Sequence, residues 1–432
     1  MSSVGDAHDH LIACHECDFV QRHVDAEAGT TVRCCRCHGF LYRHPDKALD
    51  NAVAWSLTGL VLLVLANAFP VLDLSVSGHE TSTTLISGAV ALFEQDQFAV
   101  ALLVVGVLVV APTLLFLLQI YLLLPLRHNR VAPQFVPLMR LLSHLNHWLM
   151  FDVFMLALIV AVVKLSSLAS VAPGMGLWAF LALMFASISS IRSYDTHWVW
   201  DCYSRLLGGA GVPQGLPASG KPTALSCQSA TCDTCGLLSP LQSGEGDSRC
   251  PRCDRALHAR KVDSLNRTWA LLIAGYVLFI PANLLPITIT SSLVGTQSDT
   301  IMSGVAYFWH EGAYDLAIII FTASIFVPLL KLLSLTYLAW SAHKRMTWEP
   351  MQRTRLYRMV EFVGKWSMLD VFVVAMLARL VQFSALASIE AGPGALAFAS
   401  VVVVTMFAAM SFDPRLIWDA QESTPHSGEK RG

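Results

Sequence analysis

Residues 98–124 read Phe98-Ala-Val-Ala-Leu-Leu-Val-Val-Gly-Val-Leu-Val-Val-Ala-Pro-Thr-Leu-Leu-Phe-Leu-Leu-Gln-Ile-Tyr-Leu-Leu-Leu124, without one charged side chain. At about 1.5 Å of rise per residue, such a run makes a helix long enough to cross the roughly 30 Å hydrocarbon core of a bilayer. Comparable blocks occur along the whole chain, giving candidate spans 51–69, 98–124, 148–171 and 176–191, then 268–285, 313–340, 366–388 and 394–410. None carries the one-sided stripe of a surface helix; all are apolar on every face. Of the 432 residues, 54% are hydrophobic and only 14% charged, against about 25% charged in a typical soluble domain. A soluble enzyme is excluded as the main body. A formal net charge of −2 offers nothing to a nucleic acid.

The basic residues set an expected orientation. Segments 70–97, 172–175, 286–312 and 389–393 contain no Lys or Arg. The loops after the second and sixth spans hold Arg127, Arg130 and Arg140, and Lys344, Arg345, Arg353, Arg355 and Arg358. This asymmetry predicts that the basic segments, both termini and both cysteine modules are cytoplasmic. Met1 to Ile12 is polar and acidic and does not read as a secretory signal.

The sequence also repeats itself. Asn67-Ala-Phe-Pro70 returns as Asn283-Leu-Leu-Pro286, Ser87-Gly88 as Ser303-Gly304 and Pro112 as Pro328, all at an offset of 216 residues. Trp148, Asp152 and Phe154 return as Trp366, Asp370 and Phe372 at an offset of 218. The expected architecture is an all-α polytopic membrane protein, a tandem, parallel duplication of four-span units, each preceded by a cysteine module. The expected boundaries are a module over 1–47, a membrane unit over 48–207, a linker over 208–226, a module over 227–262, a membrane unit over 263–420 and a tail over 421–432.

Between the first two spans of each unit, Val71–Val76 and Ile287–Thr290 alternate like short strands, and Thr84–Gln97 and Thr300–Gly312 have helical spacing. A short helix at the outer interface is the plain reading. In the linker, Gly215-Leu-Pro-Ala-Ser-Gly-Lys221 imitates a phosphate loop, but Pro222 stands where Ser or Thr should hold magnesium and no strand precedes it. No nucleotide site, and no enzyme activity, is expected.

Eight of the 11 cysteines form four CxxC pairs: Cys14/Cys17 with Cys34/Cys37, and Cys232/Cys235 with Cys250/Cys253. The gaps between pairs are 16 and 14 residues. Two such knuckles supply four thiolates to one tetrahedral ion. The expectation is two structural Zn2+ ions, each clamping a domain of about 40 residues too small for its own core. A rubredoxin-like iron site is the alternative metal, and a thioredoxin-like redox pair the alternative chemistry. His15 and His38 are expected to be solvated, and Cys202 and Cys227 inert.

A charge at a span centre costs about 2.5–3.5 kcal/mol on insertion scales, so each calls for an explanation. Lys164 lies in the third span, Lys331 in the sixth and Arg379 in the seventh, while Asp152 and Asp370 stand near the cytoplasmic ends of the third and seventh. At about 1.5 Å per residue, Lys331 comes to the depth of Asp370, so a Lys331–Asp370 pair is sterically feasible. Arg379 and Gln382 share a helix face. In the repeat, Leu115 stands in for Lys331, Ala161 for Arg379 and Gln382 for Lys164. These residues are either internal pairs that fix helix packing or a proton or ion relay.

Together the twin CxxC modules, the Asn-x-x-Pro after the first span, Trp366-Ser-Met-Leu-Asp370-Val-Phe and Phe412-Asp-Pro-Arg-Leu-Ile-Trp-Asp419 resemble the paraquat-inducible protein A family of bacterial inner-membrane proteins. The first half carries looser copies, Trp148-Leu-Met-Phe-Asp152 and Tyr194-Asp-Thr-His-Trp-Val-Trp-Asp201. The resemblance implies a tetraspan-like half-unit. It also implies lipid trafficking across the envelope, with phospholipid or another lipid as cargo and an MCE-domain tunnel protein as partner. A redox or stress sensor working through its CxxC modules, and a membrane scaffold that only anchors a tunnel, are the rival functions.

Overall fold

Every CxxC pair forms the turn of a knuckle closed in the same way. The first Cys N–H donates to the carbonyl five residues on (Cys14 to Phe19, Cys34 to Gly39, Cys232 to Leu237, Cys250 to Arg255), at 2.8–3.0 Å. The residue after the second Cys takes a positive φ at all four turns: Asp18, His38, Gly236 and Asp254. These short polar residues and glycine are the types that tolerate the left-handed region. The computed structural model describes residues 11–24, 27, 29–43, 48–76, 79–165, 170–207, 223–241, 248–292, 295–380 and 387–422. The phosphate-loop imitation at 215–221 lies outside them.

In the first module β1 (Leu11–Ala13) pairs with β2 (Val20–Arg22), and β3 (Thr31–Arg33) with β4 (Phe40–Arg43). Then come α1 (Ala48–Ala68), the hairpin β5 (Leu72–Val76) and β6 (His79–Thr83), α2 (Ser87–Glu94) and α3 (Phe98–Val105). A π-helical turn over Gly106–Val110 leads into α4 (Ala111–Arg127), followed by α5 (Phe135–Leu145), α6 (Phe151–Leu165), β7 (Ser170–Pro173), α7 (Met175–Ser193) and α8 (Thr196–Leu206). The second module contributes β8 (Ser229–Thr231) and β9 (Leu238–Pro240). The second unit repeats the order: α9 (Ser264–Leu284), β10 (Thr288–Ser292), β11 (Gly295–Asp299), α10 (Ile301–His310) and α11 (Tyr314–Phe321). A π turn over Thr322–Phe326 then precedes α12 (Val327–His343), α13 (Pro350–Gly364), α14 (Leu369–Leu380), β12 (Ala387–Ala391), α15 (Pro393–Ser411) and α16 (Leu416–Glu422).

Both π turns immediately precede the repeated prolines, Pro112 and Pro328. A proline has no N–H to donate, and its ring crowds the carbonyl four residues back, so the helix widens there. Among the described residues, six helices are long and apolar enough to cross a membrane: Leu49–Ala68, Phe98–Arg127, Met175–Ser193, Ser264–Leu284, Ala317–His343 and Pro393–Ser411.

The expected third and seventh spans are shorter than their sequence suggested. Helix α6 has 15 residues and α14 has 12, roughly 22 and 18 Å of helix. The chain that was expected to finish these spans at 171 and 388 instead enters β7 and β12, which pair with β5 and β10. An apolar run does not by itself distinguish the end of a helix from a buried strand. The result is a three-stranded antiparallel sheet on each unit, ordered β6-β5-β7 and β11-β10-β12.

The Asn-x-x-Pro motifs lie where these sheets meet the helices. Asn67 and Asn283 donate back to the carbonyls of Leu63 and Phe279 at 2.7 and 2.8 Å. The Pro70 and Pro286 carbonyls accept from Gly176 and Gly394 at 2.8 and 2.9 Å. A Cβ on Gly176 would lie 2.4 Å from the Phe69 carbonyl oxygen, so only glycine permits this approach.

The sheets occupy one end of the helices and the cysteine modules the other. Within the units α1 packs on α7 and α9 on α15, and between them α6 packs on α14. One apolar cluster runs through both, including Phe154, Phe180, Phe372 and Phe398. The outer helices break the symmetry. Helix α2 lies on α14 so closely that a Cβ on Gly88 would be 2.7 Å from the Ala375 carbonyl oxygen, whereas the repeat-equivalent Gly304 on α10 has nothing within 4 Å.

Candidate functional site

Each module brings its four cysteines to one buried point. In each set the ligand atoms lie within 4.8 Å of one another. The closest contacts are Cys14–Cys37 at 3.5 Å, Cys17–Cys34 at 3.6 Å, and Cys232–Cys253 and Cys235–Cys250 at 3.4 Å each. A disulfide would need about 2.05 Å. A tetrahedron of thiolates around an ion at about 2.3 Å has edges of roughly 3.8 Å. The four sulfurs of each module therefore fit a metal ion. Hydrogen bonding from the Cys14 thiol, with burial added, pushes Cys17 far up, and Cys232 does the same to Cys235. A cation is what lets four such crowded thiols ionise together. All eight are buried, whereas a redox dithiol needs an accessible sulfur. Cys35, His15 and His38 are exposed and lie outside both groups.

The modules touch one another. Phe19 bridges to Thr223, the Ala224 N–H donates to the Asp18 carbonyl at 2.9 Å, and the Leu225 N–H to Asp18 Oδ2 at 3.1 Å. Residues 223–225 of the expected linker thus lie against the first module. Arg260 joins Asp18, at 3.0 Å, to Asp419, at 2.5 Å.

Each module also docks on the membrane unit of the other half. The first shares an apolar cluster with Leu338, Ala342, Tyr357, Phe412, Ile417 and Trp418. Arg358 of α13 pairs with Glu16 and donates to the Cys37 carbonyl at 2.9 Å. The second module meets α5 and α8 of the first unit: Arg140 donates to the Cys253 carbonyl, Arg252 pairs with Asp201 at 2.9 Å, and Gly236 lies against the His197 ring. Arg140 and Arg358 are separated by the repeat offset of 218 residues, and Cys37 and Cys253 by 216.

The repeated aspartates hold each module to its own unit. Asp195 Oδ2 accepts from the Arg43 N–H at 2.7 Å, and Asp413 Oδ2 from the Lys261 N–H at 3.0 Å. Their surroundings differ in charge. Burial pushes the Asp195 carboxyl up. Burial acts on Asp413 too, but the hydrogen bonds and charge of Arg415 hold its carboxyl below the usual range.

Within the helices, Lys331 is 2% exposed, and its Nζ has no hydrogen-bond partner among the described residues. It lies against Gly364, where a Cβ would be 3.2 Å from Nζ. Gly364 closes α13, five residues before the start of α14. Asp152, in the first turn of α6, is exposed and makes no ion pair among the described residues. The side chains of Lys164, Asp370 and Arg379, and the whole of Gln382, lie outside the described residues.

A buried polar group in the first unit escaped the sequence reading. Ser56 and Ser190 each donate to Gln119 Oε1 at 2.7 Å, and Gln119 Nε2 donates to the Tyr194 hydroxyl at 3.2 Å. The lone Gln119 in the apolar run 98–124 was the available signal. Its repeat counterparts in the second unit are Leu272, Leu335 and Ala408, which form an apolar cluster.

The family model described as paraquat-inducible protein A matches residues 49–204 and 265–422. The chain belongs to the paraquat-inducible protein A family. The two matched segments correspond to the two membrane units. Intermembrane transport protein PqiA of Escherichia coli K12 is 33% identical over 423 residues, covering 96% of this chain and 97% of that protein. Lipophilic envelope-spanning tunnel protein A of the same organism is 30% identical over 411 residues, covering 95% and 91%. A probable intermembrane transport protein of Haemophilus influenzae is 29% identical over 417 residues, covering 94% and 95%. No solved structure matches.

Proposed function

We propose that this member of the paraquat-inducible protein A family is the inner-membrane subunit of an envelope lipid-transport system, passing lipid to or from an MCE-type tunnel protein. The observation that carries this reading is the end-to-end similarity to relatives named for intermembrane transport and for an envelope-spanning tunnel. In this reading the units over 48–207 and 263–420 each make four passes, with α6 and α14 as the third and seventh. Both modules and both termini face the cytoplasm, and the sheets face the tunnel. Zinc, held by the four cysteines of each module, supplies the fold of that module and no chemistry.

No nucleotide motif occurs in the chain, so directed transport draws on an ion gradient or another subunit. We assign the coupling to Lys331, Asp370 and Arg379, with Gln382, Lys164 and Asp152 as further polar members. An ammonium buried beside the α13–α14 junction is costly unless it serves as a proton-bearing group or meets a carboxylate. The test is transfer of a fluorescent phospholipid from vesicles holding the purified chain to its tunnel protein. Transfer that depends on this chain and rises with an imposed proton gradient supports both statements. Transfer indifferent to the gradient removes the relay, and no transfer at all removes the transport reading.

A further inference from the structure

The two cysteine modules are linked to the membrane units in a crossed pattern. Each continues directly into the first helix of its own unit, pinned there by Asp195 or Asp413. Each also rests on the other unit, gripped by a repeat-equivalent arginine. Arg358 of α13 reaches the carbonyl of Cys37, and Arg140 of α5 reaches that of Cys253. Both carbonyls belong to the last cysteine of a four-cysteine set, so each guanidinium binds backbone whose position the metal knuckle determines. Arg358 also holds Glu16, which lies between Cys14 and Cys17. Arg252, which lies between Cys250 and Cys253, holds Asp201 of α8. At the centre, Asp18, Arg260 and Asp419 tie the modules together.

We infer that the paired modules form a crossed brace, in which each metal centre secures the membrane unit of the opposite half. The inference rests on the metal reading for its strength, while the crossing itself is carried by the arginine contacts. A charge-assisted bond to a backbone carbonyl transmits rigidity only while that carbonyl is held still. A knuckle without its ion has a small core and few internal contacts to keep it in place. Metal loss in the second module should therefore loosen α5 and α8, and metal loss in the first should loosen α13 and α16. Without the crossing, each loss would loosen the unit joined to it in sequence.

The experiment is hydrogen exchange, read by mass spectrometry on the full-length chain in detergent, with metal content measured on the same samples. Cys250→Ser is expected to speed exchange in 135–145 by about tenfold or more while sparing 350–364. Cys34→Ser is expected to do the reverse. Arg140→Gln and Arg358→Gln keep all eight cysteines, and each is expected to speed exchange in its own helix, 135–145 or 350–364, as well as in the module it grips, with both ions retained. Should the cysteine variants fail to accumulate, the arginine variants decide. Loosening confined to the same half, or to the mutated module alone, overturns the brace. A wild-type chain without metal overturns the metal reading instead and leaves the crossing to the arginine variants.

Discussion

Phe154 and Phe372 meet edge to face with their ring centroids 5.4 Å apart. They are the same position of the two sequence repeats and meet where α6 packs on α14. Such a contact is self-complementary, as in a symmetric dimer. Each Phe→Ala substitution should cost about 3 kcal/mol or more through the cavity it leaves. The double variant should cost less than the sum, by about 0.5–1.5 kcal/mol, because the aromatic contact is lost only once. A double-mutant cycle on unfolding midpoints checks this, and strict additivity would mean that the rings do not interact.

The contrast between α2 and α10 predicts opposite effects for one substitution. Gly304→Ala meets open space and should raise stability by up to about 1 kcal/mol, the usual gain for Gly to Ala in a helix. Gly88→Ala drives a Cβ into the Ala375 carbonyl and should cost about 1–3 kcal/mol. Thermal unfolding followed by tryptophan fluorescence distinguishes them, and equal responses would show that both outer helices pack alike.

The junction aspartates should differ in their response to charge removal. At pH 7, Asp413→Asn leaves the buried Arg415 guanidinium without its carboxylate and should cost about 3 kcal/mol. Asp195→Asn removes a charge that burial opposes but keeps an oxygen for only one of the two N–H groups, of Arg43 and His197, that the carboxylate accepts from, so its cost should be smaller, about 1–2 kcal/mol. Because Asp413 is depressed in the folded state, its contribution is complete above the unfolded value near 3.9. It fades as pH falls through the folded value, which lies below 3.8. The penalty of Asp413→Asn should therefore persist at pH 5 and shrink only in stronger acid, and a penalty already gone at pH 5 contradicts the assignment.

Metal analysis should find two zinc ions per wild-type chain and one in Cys17→Ser or Cys235→Ser, since three thiolates and a hydroxyl hold zinc poorly. A red chromophore would identify iron instead.

Replacing Lys331 by Met keeps the length of the side chain and removes its charge. Normal abundance with phospholipid transfer reduced tenfold or more is expected if the ammonium takes part in transport. Full transfer together with raised thermal stability would make Lys331 a packing residue.

Six of the eight expected spans and both four-cysteine groups were legible in the sequence, because each depends on local composition or short spacing. An uncharged run such as 98–124 meets the length of the bilayer by itself. Four knuckles of two cysteines each mark out two groups that could hold an ion before any fold is known. Lys331 stood out for the same reason, as a charge in an apolar helix, and it is buried. What the tertiary structure alone decided are relations between distant segments. They include the diversion of the third and seventh spans into β7 and β12, the close seating of α2 against the open position of α10, and the crossing of each cysteine module onto the other half. No short stretch of sequence contains both partners of any of these contacts, so local preference cannot choose among the arrangements. Only the sum of packing and hydrogen bonding between parts about one to three hundred residues apart makes that choice.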